Sequence, residues 1–205
     1  CAPFDLMTAR RPDLSRPKDR NNGDMRMKIV GLIGSLRAGS LTRQMMETLP
    51  ELAPDGMEIT MAQIDHLPFY NEDLKADGTP ADPRGLADAI AAADGLIVGS
   101  PEYNRSTPAV IKNAIDWVSK EPDRPLSGKP TLIATQSPGA LGGILSNYHL
   151  RQVLSVTGAE LITGPEIAII RSGEKVETGK IVDADTRDFL AGQLERLAEA
   201  IRRKG

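Results

Sequence analysis

Short apolar segments alternate with segments of helical periodicity along most of this sequence. The runs Lys28–Gly34, Gly95–Ser100 and Thr131–Thr135 contain few polar residues, which is typical of strands buried on both faces. Glu58–Ile64 alternates apolar and polar residues, which indicates an outer strand, and the last strand falls within Glu160–Ile170. The spacing of apolar residues predicts the intervening helices, which begin near Leu41, Arg84, Thr107, Gly143 and Asp185.

These segments form a strand followed by a helix, repeated five times. Right-handed crossovers between successive strands give an open parallel sheet with helices on both faces. Ligands of such sheets bind at the carboxyl ends of the strands, where the strand order reverses. The sequence therefore predicts an α/β fold, with a site built from the loops that follow the buried strands.

The chain has 205 residues, which fits one domain of ordinary size. Residues 1–24 are rich in proline, arginine and aspartate and lack the apolar core of a secretory signal. We expect them to form a disordered or cloning-derived tail, and residues 25–205 to form the domain. No apolar run approaches the roughly 20 residues that a membrane helix requires, so we expect a cytoplasmic protein without a membrane partner.

Charge and composition argue against several classes of function. A net charge of -3 and an aromatic content of 3% disfavour a nucleic-acid partner, which usually requires a basic face or stacking surfaces. Cys1 is the only cysteine, and His66 and His149 are the only histidines. We therefore predict no disulfide within the chain, no metal site and no nucleophile-histidine pair.

The loop after the first strand has the composition of an anion site. The sequence GSLRAGSLT leads into a helix, whose first turn presents free backbone amides and the positive end of the helix dipole. Ser35, Ser40 and Thr42 add hydroxyls, and Arg37 can pair with a phosphate. Two glycines are spaced as in a P-loop, but Ser40 stands where that motif needs lysine, which favours a monophosphate. Alternatively, Ser40 only caps the helix and Arg37 is a solvated surface charge.

Two further loops follow buried strands that we predict to be neighbours. Ser100–Pro108 contains turn-forming residues and Tyr103, and could present backbone groups to a flat heterocycle. Gln136–Gly143 contains three glycines, which allow a ligand to approach the backbone. Taken alone, Ser100–Pro108 is better explained as an ordinary turn and N-cap for the next helix, and Gln136–Gly143 is consistent with a flexible connection. Together with the first loop, on one edge of one sheet, they predict a single cofactor site.

The stretches GSLRAGS, LPFYNEDL, PEYNRSTPAVIKNAIDW and SPGALGG resemble the NADPH-dependent FMN reductase family, which includes chromate, quinone and azo reductases. The resemblance extends from about Met27 to Thr163. It implies a flavodoxin-like three-layer sandwich with FMN at the switch point. The five parallel strands would lie in the order 2-1-3-4-5, with helices on both faces.

The resemblance also assigns FMN-binding residues in three loops. The family's phosphate loop maps onto Ser35, Arg37, Ser40, Leu41 and Thr42. Its flavin-ring loop maps onto Pro101, Glu102, Tyr103, Asn104 and Ser106. Its third loop maps onto Ser137, Gly139, Gly142 and Gly143. The sequence departs from the family at three places. Thr42 replaces a usual asparagine, Ala109 replaces a usual glycine, and Ile144-Leu145 follows the glycine pair where an arginine is common.

The implied function is that of an FMN-dependent NAD(P)H oxidoreductase. FMN would take a hydride from NADPH or NADH and then reduce a quinone, chromate, an azo compound or free flavin, in ping-pong order. No catalytic side chain is required, and we interpret Glu102 as a turn carboxylate rather than a general base. Backbone amides near Tyr103 and Asn104 would stabilise charge on the reduced ring. Arg105 would lie near the nicotinamide and favour NADPH.

Two alternatives share the fold but not the activity. A flavodoxin-type electron carrier has no turnover of its own, and a flavin-binding or scaffold module has lost the chemistry. The modest net charge and scarcity of aromatics favour a reductase with an accessible ring. Family members are commonly dimers or tetramers, so we expect a homodimer or homotetramer. We hypothesise that the polar segment Ser172–Lys180 reaches a neighbouring subunit.

Overall fold

The computed structural model describes residues 26–204, so the predicted tail over residues 1–24 lies outside the described part of the chain. The main sheet contains β1 (Met27–Ile33), β2 (Met57–Ala62), β3 (Gly95–Ser100), β4 (Pro130–Gln136), β5 (Glu160–Leu161) and β6 (Ile167–Ile169). The helices are α1 (Leu41–Leu52), α2 (Ala81–Ala92), α3 (Ala109–Ser119), α4 (Ile144–Val156) and α5 (Ala184–Arg202). A small hairpin joins β7 (Val176–Glu177) to β8 (Lys180–Ile181), and 3-10 turns cover Glu72–Lys75 and Ser172–Lys175.

The strands of the main sheet lie in the order β2-β1-β3-β4-β5, and every pair is parallel. This confirms the predicted topology. The fifth strand position is divided, because β5 pairs with the start of β4 and β6 pairs with its end. Between them Gly164 adopts a φ of +122° and Pro165 has no amide hydrogen, so the ladder is interrupted there.

Two hydrophobic layers cover the two faces of the sheet. Alternate residues of β1 separate between them: Ile29 and Ile33 pack with α1 and α5, whereas Val30 and Leu32 pack with α2, α3 and α4. Both faces of β3 and β4 are buried throughout, as the unbroken apolar runs predict. The result is a three-layer sandwich in which β1 connects to a helix on one face and β3 to a helix on the other.

The segment after β6 packs against helix α1 of its own chain. Its hairpin docks on α1 of its own chain, where Ile181 is fully buried and its amide donates to Thr48 Oγ1 over 3.0 Å. Lys180 Nζ also lies 3.1 Å from Glu51 Oε1. The segment that we hypothesised to reach a neighbouring subunit thus finds these packing partners within its own chain.

Among the helices of residues 26–204, none has both the length and the apolar character needed to cross a membrane.

Candidate cofactor site

The three predicted loops meet at one edge of the sheet. They follow β1, β3 and β4, which are neighbours and parallel, so their carboxyl ends lie side by side. Because β1 and β3 lead to helices on opposite faces, the gap between them is the topological switch point of the sheet. The edge predicted to bind a cofactor is therefore assembled in the structure.

The loop after β1 packs against the end of β3 where it leaves the sheet. Gly34 donates its amide to Gly99 O over 2.8 Å. A Cβ atom at Gly34 would lie 2.7 Å from Ile111 Cγ1 and 3.1 Å from Gly99 O, so this position requires glycine. Ser35 is buried, and Arg37 and Gly39 are exposed at the tip of the loop.

The amino-terminal end of α1 is available to an anion. Ser40 is the N-cap, and its Oγ accepts from the Arg43 amide over 3.2 Å, which confirms the capping interpretation of Ser40. The amides of Leu41 and Thr42 have no hydrogen-bond partner among residues 26–204, and the first turn contains no acidic residue. Arg37 makes no ion pair within the same residues. This donor set fits the phosphate of FMN, which is anionic and accepts hydrogen bonds.

The hydroxyl of Thr42 belongs to an interior polar network rather than to the surface of the loop. Thr42 is fully buried, and its Oγ1 accepts from Gln136 Nε2 over 2.8 Å. Gln136 Oε1 accepts in turn from Ser172 Oγ over 2.5 Å. This network joins α1, the end of β4 and the turn after β6. Our reading of the sequence missed Gln136 and Ser172, and the available signal was a lone polar side chain ending a buried strand.

The loop after β3 contains a closed four-residue turn. Tyr103 and Ser106 exchange both backbone hydrogen bonds, each 2.9 Å long. Asn104 and Arg105 between them have φ values of 51° and 64°, which is the geometry of a type I′ turn. The Tyr103 amide is therefore engaged within the turn, contrary to our expectation that it faces a ligand. The amides of Asn104 and Arg105 have no partner among residues 26–204.

Glu102 lies where the helix α4 begins. Its Oε2 accepts from the amides of Leu145 and Ser146, at 3.0 Å and 3.4 Å. Leu145, which stands near the usual family arginine, thus contributes its backbone amide to this contact, whereas the Ile144 amide donates to Leu141 O over 3.1 Å. The location of Glu102 agrees with its interpretation as a structural carboxylate of the turn.

The glycine pair of the third loop is explained by packing within the protein. Gly142 has a φ of +59°, and a Cβ there would lie 2.3 Å from Ala168 O. Gly143 has a φ of +77°, and its Cβ would lie 3.1 Å from Gln136 O. Both glycines are buried against the strands. Of the third-loop glycines, Gly139 is exposed, so it is the position at which a ligand can approach the backbone.

The remaining residues of the third loop hold it to the segment after β6. Ser137 donates its amide to Ile169 O and accepts from the Gly139 amide at its Oγ, both over 3.0 Å. The Arg171 amide donates to Gly139 O over 3.0 Å. The loop is therefore fixed in place by contacts that do not involve a ligand.

The end of the PEYN…KNAIDW motif supports another loop. Asn113 Oδ1 accepts from the Tyr70 amide over 2.7 Å, and Asn113 Nδ2 donates to Pro68 O over 2.9 Å. Trp117 Nε1 donates to the same oxygen over 2.7 Å. These bonds connect α3 to the LPFYNEDL segment after β2, so the two motifs share a structural role.

A parallel sheet with this strand order, and a helix amino terminus open to an anion at its switch point, define a flavodoxin-like α/β protein. The sequence profile of the family described as NADPH-dependent FMN reductase matches residues 27–173. The chain belongs to this family.

Individual relatives agree with this assignment. The chain is 42% identical over 182 residues to a quinone reductase of Escherichia coli K12, covering 87% of this chain and 97% of the relative. It is 38% identical over 178 residues to an NAD(P)H-dependent FMN reductase of Pseudomonas aeruginosa, covering 86% and 96%. Among solved structures, the flavoenzyme NAD(P)H:(acceptor) oxidoreductase FerB of Paracoccus denitrificans superposes with a TM-score of 0.80 at 34% identity, covering 86% and 98%. The protein is thus an FMN-dependent oxidoreductase that uses NADPH or NADH.

Proposed function

We propose that this protein transfers electrons from NAD(P)H to quinones through FMN held at the carboxyl edge of its sheet. The observation that carries the proposal is the open, acid-free amino terminus of α1 at the switch point. Relatives named as quinone reductases favour a quinone over chromate, an azo compound or free flavin as the acceptor. Bound FMN supplies the redox chemistry, accepting a hydride and passing on two electrons.

The phosphate of FMN would lie at α1. Arg37 would contribute a charge-assisted contact, and the free amides of Leu41 and Thr42 would donate along the helix dipole. Ser35 and Ser40 would shape the loop rather than contact the ligand with their side chains, because Ser35 is buried and Ser40 caps the helix. Arg37→Ala should weaken FMN binding by about 1.5–3 kcal/mol, and unchanged affinity would refute this assignment.

The flavin ring would lie between the turn after β3 and the third loop. The free amides of Asn104 and Arg105 point to this turn as the donor to the ring, and exposed Gly139 would allow close approach from the other side. Tyr103 is 48% exposed beside them and would line the acceptor site. These residues bind and orient, so no protein acid or base is needed for the reaction.

Anaerobic absorbance spectroscopy tests the function directly. Purified protein with FMN should show a bound flavin spectrum that bleaches on addition of NADPH and recovers on addition of a quinone. Bound flavin that NADPH fails to bleach would indicate an electron carrier instead. Protein that binds no flavin would refute the cofactor site and leave a module without redox chemistry.

We also propose that the protein is a homodimer or homotetramer and acts in the cytoplasm. Support for assembly comes from α4, on which Tyr148 and Val156 are 50% and 84% exposed. The cytoplasm is proposed because its reductant, NAD(P)H, is produced inside cells. Light scattering coupled to size exclusion would measure the assembly, and a monomeric mass would contradict it. Cell fractionation would test the location.

A further inference from the structure

Helix α4 begins without a cap of its own. Its N-cap is Gly143 in the left-handed conformation, and no side chain of its own segment accepts from the first-turn amides. Glu102, more than 40 residues earlier in the chain, fills this role with Oε2 at 3.0 Å from the Leu145 amide and 3.4 Å from the Ser146 amide. A carboxylate at this end of a helix is favoured by both the free amides and the helix dipole.

Two further contacts fasten the same loop to the same helix. Ser100 Oγ lies 3.1 Å from Ser146 Oγ before Glu102, and Ser106 Oγ lies 3.0 Å from His149 Nδ1 after it. The turn between these contacts places Asn104 and Arg105 in the left-handed region, which non-glycine residues adopt at a cost. A turn of this kind keeps its shape only when its surroundings impose it.

We propose that Glu102 is a positioning residue for the flavin ring, which acts by fixing the Tyr103–Ser106 turn to the start of α4. Because α4 follows directly on the third loop, the same carboxylate also sets the spacing between the turn and Gly139. The carboxylate of Glu102 accepts hydrogen bonds from the first turn of α4 and takes no proton from a substrate. The proposal rests on the proposed placement of the ring at this turn.

The experiment compares Glu102→Ala, Glu102→Gln and Glu102→Asp with Glu199→Ala, an exposed glutamate of α5 that serves as the control. For each apoprotein, quenching of flavin fluorescence gives the Kd for FMN and thermal unfolding reports folding. For each holoprotein at saturating FMN, stopped-flow absorbance gives the rate of flavin reduction by NADPH from pH 6 to pH 9.

A positioning role predicts a specific ranking. Glu102→Ala should raise the Kd for FMN about 10- to 100-fold, because FMN binding must then order a turn that the lost charge-assisted hydrogen bonds no longer hold in place. Glu102→Gln keeps an acceptor at the same reach and should recover most of that affinity, whereas Glu102→Asp is one methylene short and should not. The pH dependence of flavin reduction should be unchanged in every variant, and the control should match the wild type.

Three results would overturn the proposal. The first is a folded Glu102→Ala variant that binds FMN with the affinity of the wild type. If the alanine variant does not fold, the same affinity in Glu102→Asp would overturn the proposal. The second is a Glu102→Gln variant that reduces flavin at saturating FMN as slowly as Glu102→Ala and shows an altered pH profile. This combination would identify Glu102 as a general base. Wild-type protein that fails to bind FMN would overturn both this role and the proposed function, whereas the first two results leave the proposed function intact.

Discussion

Replacing Gln136 with leucine should destabilise the protein by disrupting the buried polar network of Thr42, Gln136 and Ser172. The Gln136 amide donates to Thr42 Oγ1 over 2.8 Å and accepts from Ser172 Oγ over 2.5 Å, and all three side chains are buried. Leucine is similar in size but offers neither group, so two buried hydroxyls lose a partner together. At about 1–3 kcal/mol for each orphaned hydroxyl, the expected loss is about 2–6 kcal/mol. That is a large part of a typical stability of about 5–15 kcal/mol.

Urea denaturation of the apoprotein measures this loss without interference from the cofactor. Trp117 is the only tryptophan and is fully buried, so its fluorescence reports unfolding of the domain. The midpoint should fall while the m value stays constant, which would assign the effect to stability rather than to a changed unfolded state.

The matched control removes the whole network at once. In the triple variant Thr42→Val, Gln136→Leu and Ser172→Ala, no member is left with an unsatisfied hydroxyl. Replacing all partners with apolar groups is close to neutral, so the triple variant should be more stable than Gln136→Leu alone. The reasoning is refuted if Gln136→Leu stays within about 0.5 kcal/mol of wild type, or if the triple variant is no more stable than the single one.

Three further predictions concern other parts of the site and its support. Gly142→Ala should destabilise the apoprotein by more than about 1 kcal/mol, because its Cβ would lie 2.3 Å from a backbone oxygen of β6 at a positive φ. Gly139→Ala should leave the urea midpoint unchanged and weaken FMN binding, and the reverse pattern would contradict the packing assignment. Arg105→Asn, which tolerates the left-handed turn, should raise KM for NADPH and leave KM for NADH unchanged; equal effects would exclude recognition of the 2′-phosphate. Burial raises the pKa of Glu121, but hydrogen bonds from a threonine, a lysine and an arginine outweigh it and lower the pKa below 4.5. Its stabilisation should therefore be complete above about pH 5 and decline as the pH falls through the lowered pKa, and Glu121→Gln should flatten that decline in acid denaturation.

The sheet could be predicted because its information is local. Each strand and each helix of a βα unit has its own periodicity, and the handedness of the crossover then leaves few arrangements. Helix ends were less well determined. The sequence predicts a helix that begins near Thr107, whereas α3 begins at Ala109 with Pro108 as its N-cap. The division of the last strand into β5 and β6 depends on Gly164 and Pro165. These residues interrupt the hydrogen bonding to β4, which can be recognised only once β4 is known to be the neighbouring strand.

The interior polar contacts could not be predicted, because their partners are far apart in the sequence. Gln136 and Thr42 are separated by 94 residues, and Asn113 contacts Pro68 across 45. A polar residue at the end of an apolar strand indicates that some partner exists, but periodicity does not identify it. The same limit affects Glu102. Its position in a turn-forming segment predicted a carboxylate of the turn, but the sequence did not show which helix that carboxylate caps.

Several motif residues of the candidate site make contacts within the protein itself. Glu102 caps α4, the Gly142 backbone packs against β6, and the Thr42 hydroxyl joins the buried network. Within residues 26–204, the side chain of Arg37 makes no ion pair, and backbone amides of the loops after β1 and β3 make no hydrogen bond. We propose that the cofactor is recognised largely through such backbone groups, so that the loop sequences specify conformation more than contact chemistry. That explains why the motifs identify FMN correctly as the cofactor while several of the side chains they contain are engaged elsewhere.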